Sequence, residues 1–177
     1  CMYYKHKTSS LEGKIIAIQG AGKVGAVLAD HCAKEGATVY ISDLYKEKAV
    51  AVAKQHIIAV PNDTIHTLEV DIYAPCALGG ILNPETIPEL NCQIVCGCAN
   101  NQLSITPMAT MLKNRGIIYA PDYLVNAGGV LTILVERHEM YKTLEDLLER
   151  IAKLYDTTLE CLELSEKIEK STALVAD

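Results

Sequence analysis

The stretch GAGKVG, residues 20–25, constrains this chain more than any other. An apolar run, Ile15-Ile16-Ala17-Ile18, precedes it, and a segment with apolar residues at three- and four-residue spacing follows. A Gly-x-Gly-x-x-Gly turn between a buried strand and a helix has a specific physical meaning. Gly20 permits a sharp turn off the strand, Gly22 removes a side chain where a pyrophosphate approaches the backbone, and Gly25 lets helix and strand pack closely. The helix N-terminus then offers free N–H groups and a partial positive charge to phosphates. Lys23 and Val24 complete the loop and count among the expected cofactor contacts, although the motif does not depend on the lysine.

An acid about twenty residues further on, at the end of a second strand, would hydrogen-bond an adenosine ribose. Asp43 holds that place after Val39-Tyr40-Ile41-Ser42. Its charge repels a 2′-phosphate, so NAD is the expected cofactor in preference to NADP, with Lys46 and Lys48 close by as the opposing influence.

The rest of the chain alternates between strand and helix patterns. Residues 14–19 read as a strand and the next segment as a helix with Val24, Val27, Leu28, His31 and Cys32 on its stripe, ended by Gly36. Residues 38–42 read as a strand, 45–56 as a helix, Pro61-Asn62-Asp63 as a turn and 67–73 as a strand. Asn83 and Pro84 open a short helix over 84–90, residues 92–98 form a strand, Thr106-Pro107 opens a helix through 114 stopped by Gly116, and 117–119 form the next strand. This alternation predicts an α/β fold with a doubly wound parallel sheet, Rossmann-like. After Asp122, residues 123–141 and 143–170 read as long C-terminal helices, with Thr143 and Asp146 placed as a capping box. The expected organisation is a linker or helix end over 1–12, a nucleotide-binding domain over 13–142 and a C-terminal helical segment over 143–177. A chain that opens on Cys1 and stops at Asp177 without a capping or tail signal is expected to be an excised piece.

Half the 177 residues are apolar and 21% are charged, which suits one well-buried core. The net charge of -6, from 22 acidic against 16 basic residues with no basic run, argues against a nucleic-acid surface. No stretch approaches the ~20 apolar residues of a membrane span, and the N-terminus lacks a signal-peptide core, so a cytoplasmic protein without membrane contact is expected. The seven cysteines are odd in number, with Cys92, Cys96 and Cys98 crowded together, and read as reduced thiols. They contain no Cys-x2-Cys pair and no nearby His, so no metal site is expected.

Hydride transfer usually needs a general acid or base beside the reacting carbon. Of the five histidines, His6 lies in a polar leader, His31 and His56 in predicted helices, His66 at the start of a strand, and His138 beside Glu139 on a charged helix face. Asp122, after Ala120-Pro121, reads as a helix N-cap. The Tyr-x-x-x-Lys of short-chain dehydrogenases occurs only upstream of the glycine loop, at Tyr3 and Lys7, and no His-Gly-Asp-like segment of the lactate/malate type follows it. No catalytic residue is assigned within this chain.

Three further stretches decide between dinucleotide enzymes: VDIYAPCALGGILNPETIPEL (70–90), ANNQL (99–103) and IIYAPDYLVNAGGV (117–130). Together with the glycine loop they resemble the cofactor-binding domain of the glutamate/leucine/phenylalanine/valine dehydrogenase family, nearest its leucine branch. The resemblance runs from about residue 11 to 135, and STALVAD (171–177) resembles the segment before the family's final helices. It implies that the glycine loop and Asp43 take the pyrophosphate and adenosine ribose, and that Ala74, Pro75 and Cys76 border the middle of the cofactor. It further implies that Ala99, Asn100 and Asn126 meet the nicotinamide end, with Asn101, Val130 and Ile133 on the substrate side. The implied reaction is reversible oxidative deamination of an L-amino acid, leucine or another branched-chain one, to a 2-oxo acid and ammonia. The family's catalytic lysine and its aspartate partner belong to an N-terminal domain not contained in this chain, and the full-length protein is expected to be a homo-oligomer. The sequence departs from the pattern in having no Phe, in Cys96 and Cys98 where Ala or Gly and Ser are usual, and in Gly80 for a more usual Ala. An alternative is a nucleotide-sensing regulatory module without chemistry, which explains residues 14–43 but gives no reason for Ala-Pro-Cys-Ala-Leu-Gly or Asn-Ala-Gly-Gly.

Overall fold

The computed structural model describes residues 1–136 and 143–176. A short helix α1 (Met2–His6) leads into β1 (Ile15–Gln19), α2 (Lys23–Lys34), β2 (Thr38–Ser42), α3 (Lys46–Val52), β3 (Ile57–Ala59), β4 (Val70–Pro75) and β5 (Cys92–Val95). Then come α4 (Met108–Asn114), β6 (Ile118–Tyr119), α5 (Asp122–Val125), α6 (Gly128–Glu136), α7 (Leu144–Lys167) and α8 (Thr172–Ala176). The six strands form one sheet in the order β3-β2-β1-β4-β5-β6, and every pairing between neighbours is parallel. The chain winds one way from β1 through β2 to β3 and the other way from β4 to β6. The order therefore reverses between β1 and β4, where an open α/β sheet leaves a crevice beyond its strand ends.

Parallel strands buried on both faces need apolar side chains on both, and β1 shows why its run is nearly continuous. Ile16 and Ile18 point to one face, where they pack with Val39, Ile41, Ala29, Cys32 and Ala49. Ala17 points to the other, into a cluster with Tyr73, Val95, Ala109, Leu112 and Ile65. Thr143 caps α7 as its sequence suggests, its hydroxyl accepting from the Asp146 N–H at 3.1 Å.

Several element boundaries differ from the sequence reading, each for a local reason. The helix expected over 45–56 stops at Val52. Beyond it Lys54 and Ile57 exchange two backbone hydrogen bonds around His56, whose φ of 65° reverses the chain into β3, a three-residue edge strand too short to show a periodicity. The strand expected from 67 begins at Val70, because a single 3-10 turn over Ile65–Thr67 first drives Ile65 into the core. Only one 3-10 turn, Ile87–Glu89, forms where a helix was expected over 84–90. The strand expected over 92–98 ends at Val95, and the helix expected over 123–141 is broken after Val125, where Asn126, Ala127 and the two following glycines favour a separate start. His138 and Glu139 lie outside the described residues. On α2 the buried stripe is Gly25, Ala29 and Cys32, whereas Val24 and Val27 are 60% and 56% exposed. Small side chains fill the inner face of the helix, with Leu28 half-buried beside them against the same core cluster.

At the opposite end of the sheet from the crevice, Asp71 of β4 ties down the start of β1. Its Oδ2 accepts from the Ile15 N–H at 2.9 Å and its Oδ1 meets the Lys14 ammonium at 3.1 Å. Burial works against the ionised form, but the Ile15 amide and the Lys14 charge outweigh it and hold the carboxyl below its ordinary value. A depressed folded-state pKa stabilises the fold fully above the unfolded value of ~3.9 and loses that contribution as pH falls through the folded one. Thermal unfolding followed by circular dichroism from pH 5 down to pH 2 is expected to show a steeper acid decline for the native chain than for Asp71→Asn. Parallel declines would show that this pair contributes nothing to acid stability.

Candidate functional site

The turn out of β1 is built from backbone constraints. Gly20 has a φ of +118°, and a Cβ there would lie 2.7 Å from the carbonyl carbon of Cys76. A Cβ on Gly25 would lie 1.9 Å from the Gly20 oxygen, so the first turn of α2 sits directly on the loop that precedes it. Gly22 is different. It takes an ordinary extended conformation at the N-cap of α2, and a Cβ there would meet nothing within 4 Å. Its lack of a side chain serves open space in front of the helix, not the packing behind it. Among the described residues none accepts a hydrogen bond from the amides of residues 22–25, so the N-terminus of α2 faces that space with unpaired donors. The Lys23 and Val24 side chains are exposed on the same turn.

Asp43, just past β2, closes one side of this loop. Its Oδ2 accepts from the Ala21 N–H at 2.9 Å and its Oδ1 from the Tyr45 N–H at 3.0 Å, while the Gly20 N–H donates to the Ser42 oxygen at 2.8 Å. The carboxylate therefore belongs to the loop's own architecture and lies at its rim. Lys48 is drawn aside over the Tyr45 ring, 4.7 Å from its centroid.

Beneath the loop lies a polar layer that sequence reading missed. Gln19 donates to the Asn62 Oδ1 at 3.3 Å, Ser42 donates to the same oxygen at 3.1 Å, and the Tyr73 hydroxyl donates to the Gln19 Oε1. Gln19 and Ser42 are buried, and burial pushes the Tyr73 phenol up, so it stays a donor. The signal was available in the sequence as polar residues closing otherwise apolar strands.

The ends of β4 and β5 form the other wall. Ala74 and Pro75 are buried, the Cys76 N–H donates to the Gln19 oxygen at 2.7 Å, and the Ala99 N–H donates to the Pro75 oxygen at 2.9 Å. Asn100 is exposed, and Asn101 sits beside it with a φ of 53°. The Asn126 amide donates to the Asn100 Oδ1 at 2.7 Å, joining two residues that the sequence separates by 26 positions. Val130 and Ile133 stand exposed on α6 at 61% and 50%, three residues apart and so on one side of the helix.

Asp122 is not the N-cap that the sequence suggests. It is the first residue of α5 and is buried, its Oδ2 accepting from the Gln102 N–H at 3.1 Å and its Oδ1 from the Tyr123 N–H at 3.0 Å. Gln102, fully buried, in turn donates to the Gly97 and Ala99 oxygens at 2.8 and 3.0 Å. These contacts brace the loop carrying Asn100 and Asn101. The histidines described lie away from this cleft's hydrogen bonds: His31 is exposed on α2, and His66 pairs with Glu89 at 2.8 Å.

Residues 40–174 match the family profile Glutamate/Leucine/Phenylalanine/Valine dehydrogenase. The chain belongs to this family. Within the family it is 41% identical over 171 residues to a leucine dehydrogenase of Bacillus cereus, covering 96% of this chain and 46% of that protein. A valine dehydrogenase of Streptomyces albus is 44% identical over 154 residues, covering 85% of this chain and 42% of the relative. The L-tryptophan dehydrogenase of Nostoc punctiforme superposes with a TM-score of 0.94 at 36% identity, over 99% of this chain and 52% of that one. The chain thus spans about half the length of the dehydrogenases it matches.

Proposed function

We propose that this chain is the NAD-binding half of an amino-acid dehydrogenase, acting on leucine or another branched-chain amino acid in reversible oxidative deamination to a 2-oxo acid and ammonia. The observation that carries this reading is the space in front of Gly22, faced by unpaired amides of α2 and flanked by the Asp43 carboxylate, at the point where the strand order reverses. In it the backbone of residues 20–25, with Lys23 and Val24 on its outer side, holds the diphosphate, and Asp43 accepts from the adenosine ribose and disfavours a 2′-phosphate. Ala74, Pro75 and Cys76 border the middle of the cofactor, and Ala99, Asn100 and Asn126 bind its nicotinamide end. Asn101, Val130 and Ile133 face the substrate. Bound NAD supplies the hydride acceptor. The Asn100–Asn126 hydrogen bond and the Asp122 brace orient the amides at that end before any ligand arrives.

The proton-handling lysine and carboxylate belong, on this reading, to the part of the relatives' length that the chain does not span, in a cytoplasmic homo-oligomeric enzyme. Titration calorimetry of the 177-residue chain is expected to show NAD binding stronger than NADP binding, and an absorbance assay with leucine to show no NADH. Failure to bind NAD removes the cofactor role. Turnover by this chain places the acid/base groups within it.

A further inference from the structure

All seven cysteines are free thiols, and two of them meet at the floor of the cleft. Cys76 follows Pro75 at the end of β4, and Cys98 precedes Ala99 beyond β5. The Ala99 N–H to Pro75 oxygen hydrogen bond of 2.9 Å holds these two segments side by side. The Cys76 thiol donates a hydrogen bond to the Cys98 sulfur, and neither residue is fully buried. The Ala99–Pro75 bond joins the residue before Cys76 to the residue after Cys98, a backbone approach of the kind across which disulfides form at Cα separations of roughly 4.4–6.8 Å.

We propose that Cys76 and Cys98 form a dithiol oxidation site, which a peroxide closes into an intrachain disulfide that weakens dinucleotide binding by the adjoining glycine loop. The effect on binding rests on the NAD-binding reading above; the oxidation itself does not.

The two sulfurs have unequal roles. The hydrogen bond from Cys76 holds the Cys98 thiol below its ordinary value against the effect of burial, whereas that same bond and burial push the Cys76 thiol up. Cys98 is therefore the stronger nucleophile of the two. Its thiolate attacks one peroxide oxygen, forming an S–O bond as the O–O bond breaks and hydroxide leaves, which gives a sulfenic acid. The Cys76 sulfur then attacks the Cys98 sulfur. The S–S bond forms, the S–O bond breaks, and the Cys76 proton departs with the hydroxyl as water. Two electrons pass from the thiols to the peroxide, and a thiol reductant returns them. Cys96 is the poorer attacking group, because burial pushes its thiol up.

Cys76 is also the residue on which the glycine loop leans. Its carbonyl carbon lies 2.7 Å from the position of a Gly20 Cβ, its own Cβ lies 3.4 Å from that of a Gly25 Cβ, and its N–H anchors Gln19. Drawing Cys76 toward Cys98 disturbs the surface against which Gly20 and Gly25 are fitted.

The test treats the 177-residue chain with hydrogen peroxide, maps disulfides by mass spectrometry of a non-reduced digest, and measures NAD binding by calorimetry before oxidation, after it and after dithiothreitol. The expected result is a linked pair of peptides containing Cys76 and Cys98, with NAD affinity falling by about 10-fold or more and returning on reduction. Cys98→Ser is expected to remove both the link and the fall, and Cys96→Ala to keep both. A link between other cysteines, or sulfinic acid at Cys98 without a link, overturns the oxidation site. A mapped Cys76–Cys98 link with unchanged affinity overturns its effect on binding. If the reduced chain fails to bind NAD while the link still forms, the NAD-binding reading falls and the oxidation site stands.

Discussion

Gly22→Ala is expected to abolish NAD binding while leaving the fold as stable as before. The residue already adopts a backbone conformation open to alanine, and a Cβ there meets no protein atom within 4 Å. Reduced freedom of the unfolded chain favours Gly→Ala by ~0.4–1 kcal/mol, and the poorer N-cap opposes it by a similar amount. The added methyl instead projects into the space proposed for the diphosphate, and a loss of more than ~100-fold in affinity, about 2.7 kcal/mol, is the expected reading by calorimetry. Gly20→Ala provides the contrast. There a positive φ and a contact of 2.7 Å with the Cys76 backbone oppose any side chain. Strain of ~1–3 kcal/mol corresponds to a melting point lower by ~2–12 °C, and the clash lowers it further. If Gly22→Ala binds NAD normally, the space before α2 does not hold the diphosphate.

The second large effect concerns Asp43. Asp43→Asn preserves an oxygen for the Ala21 N–H but removes the negative charge at the rim of the loop. A hydrogen bond to a charged group contributes ~1.5–3 kcal/mol, so NAD affinity is expected to fall by roughly 10- to 100-fold. NADP should gain relative to NAD, because the repulsion of a 2′-phosphate is gone and Lys46 and Lys48 remain nearby. Competition titrations with both nucleotides measure the ratio directly. An unchanged NAD-to-NADP ratio would detach Asp43 from cofactor selection.

The glycine loop and the strand–helix alternation were legible because they rest on local rules: turn glycines, buried apolar runs and breakers act over a few residues. β2 shows this well, since its expected and observed limits coincide. What escaped depends on tertiary geometry. The inner stripe of α2 was legible only in part: Cys32 and Leu28 pack toward the core as expected, but apolar character also pointed to Val24 and Val27, which are exposed, whereas Gly25 and Ala29 face the sheet. β3 is held as an edge strand by three paired residues and leaves almost no periodic trace. The Asp122–Gln102 brace joins positions 20 apart whose side chains carry no local pattern. The Asn100–Asn126 contact was approached only through family resemblance, which carries long-range information that spacing within one chain does not.

The polar layer of Gln19, Ser42, Asn62 and Tyr73 has a consequence for the energetics of ligand capture. Because these groups already satisfy one another, and Asp43 already fixes the Ala21 amide, the loop is preorganised. Little conformational entropy is then left to lose when the proposed nucleotide docks, so more of the contact energy survives as affinity.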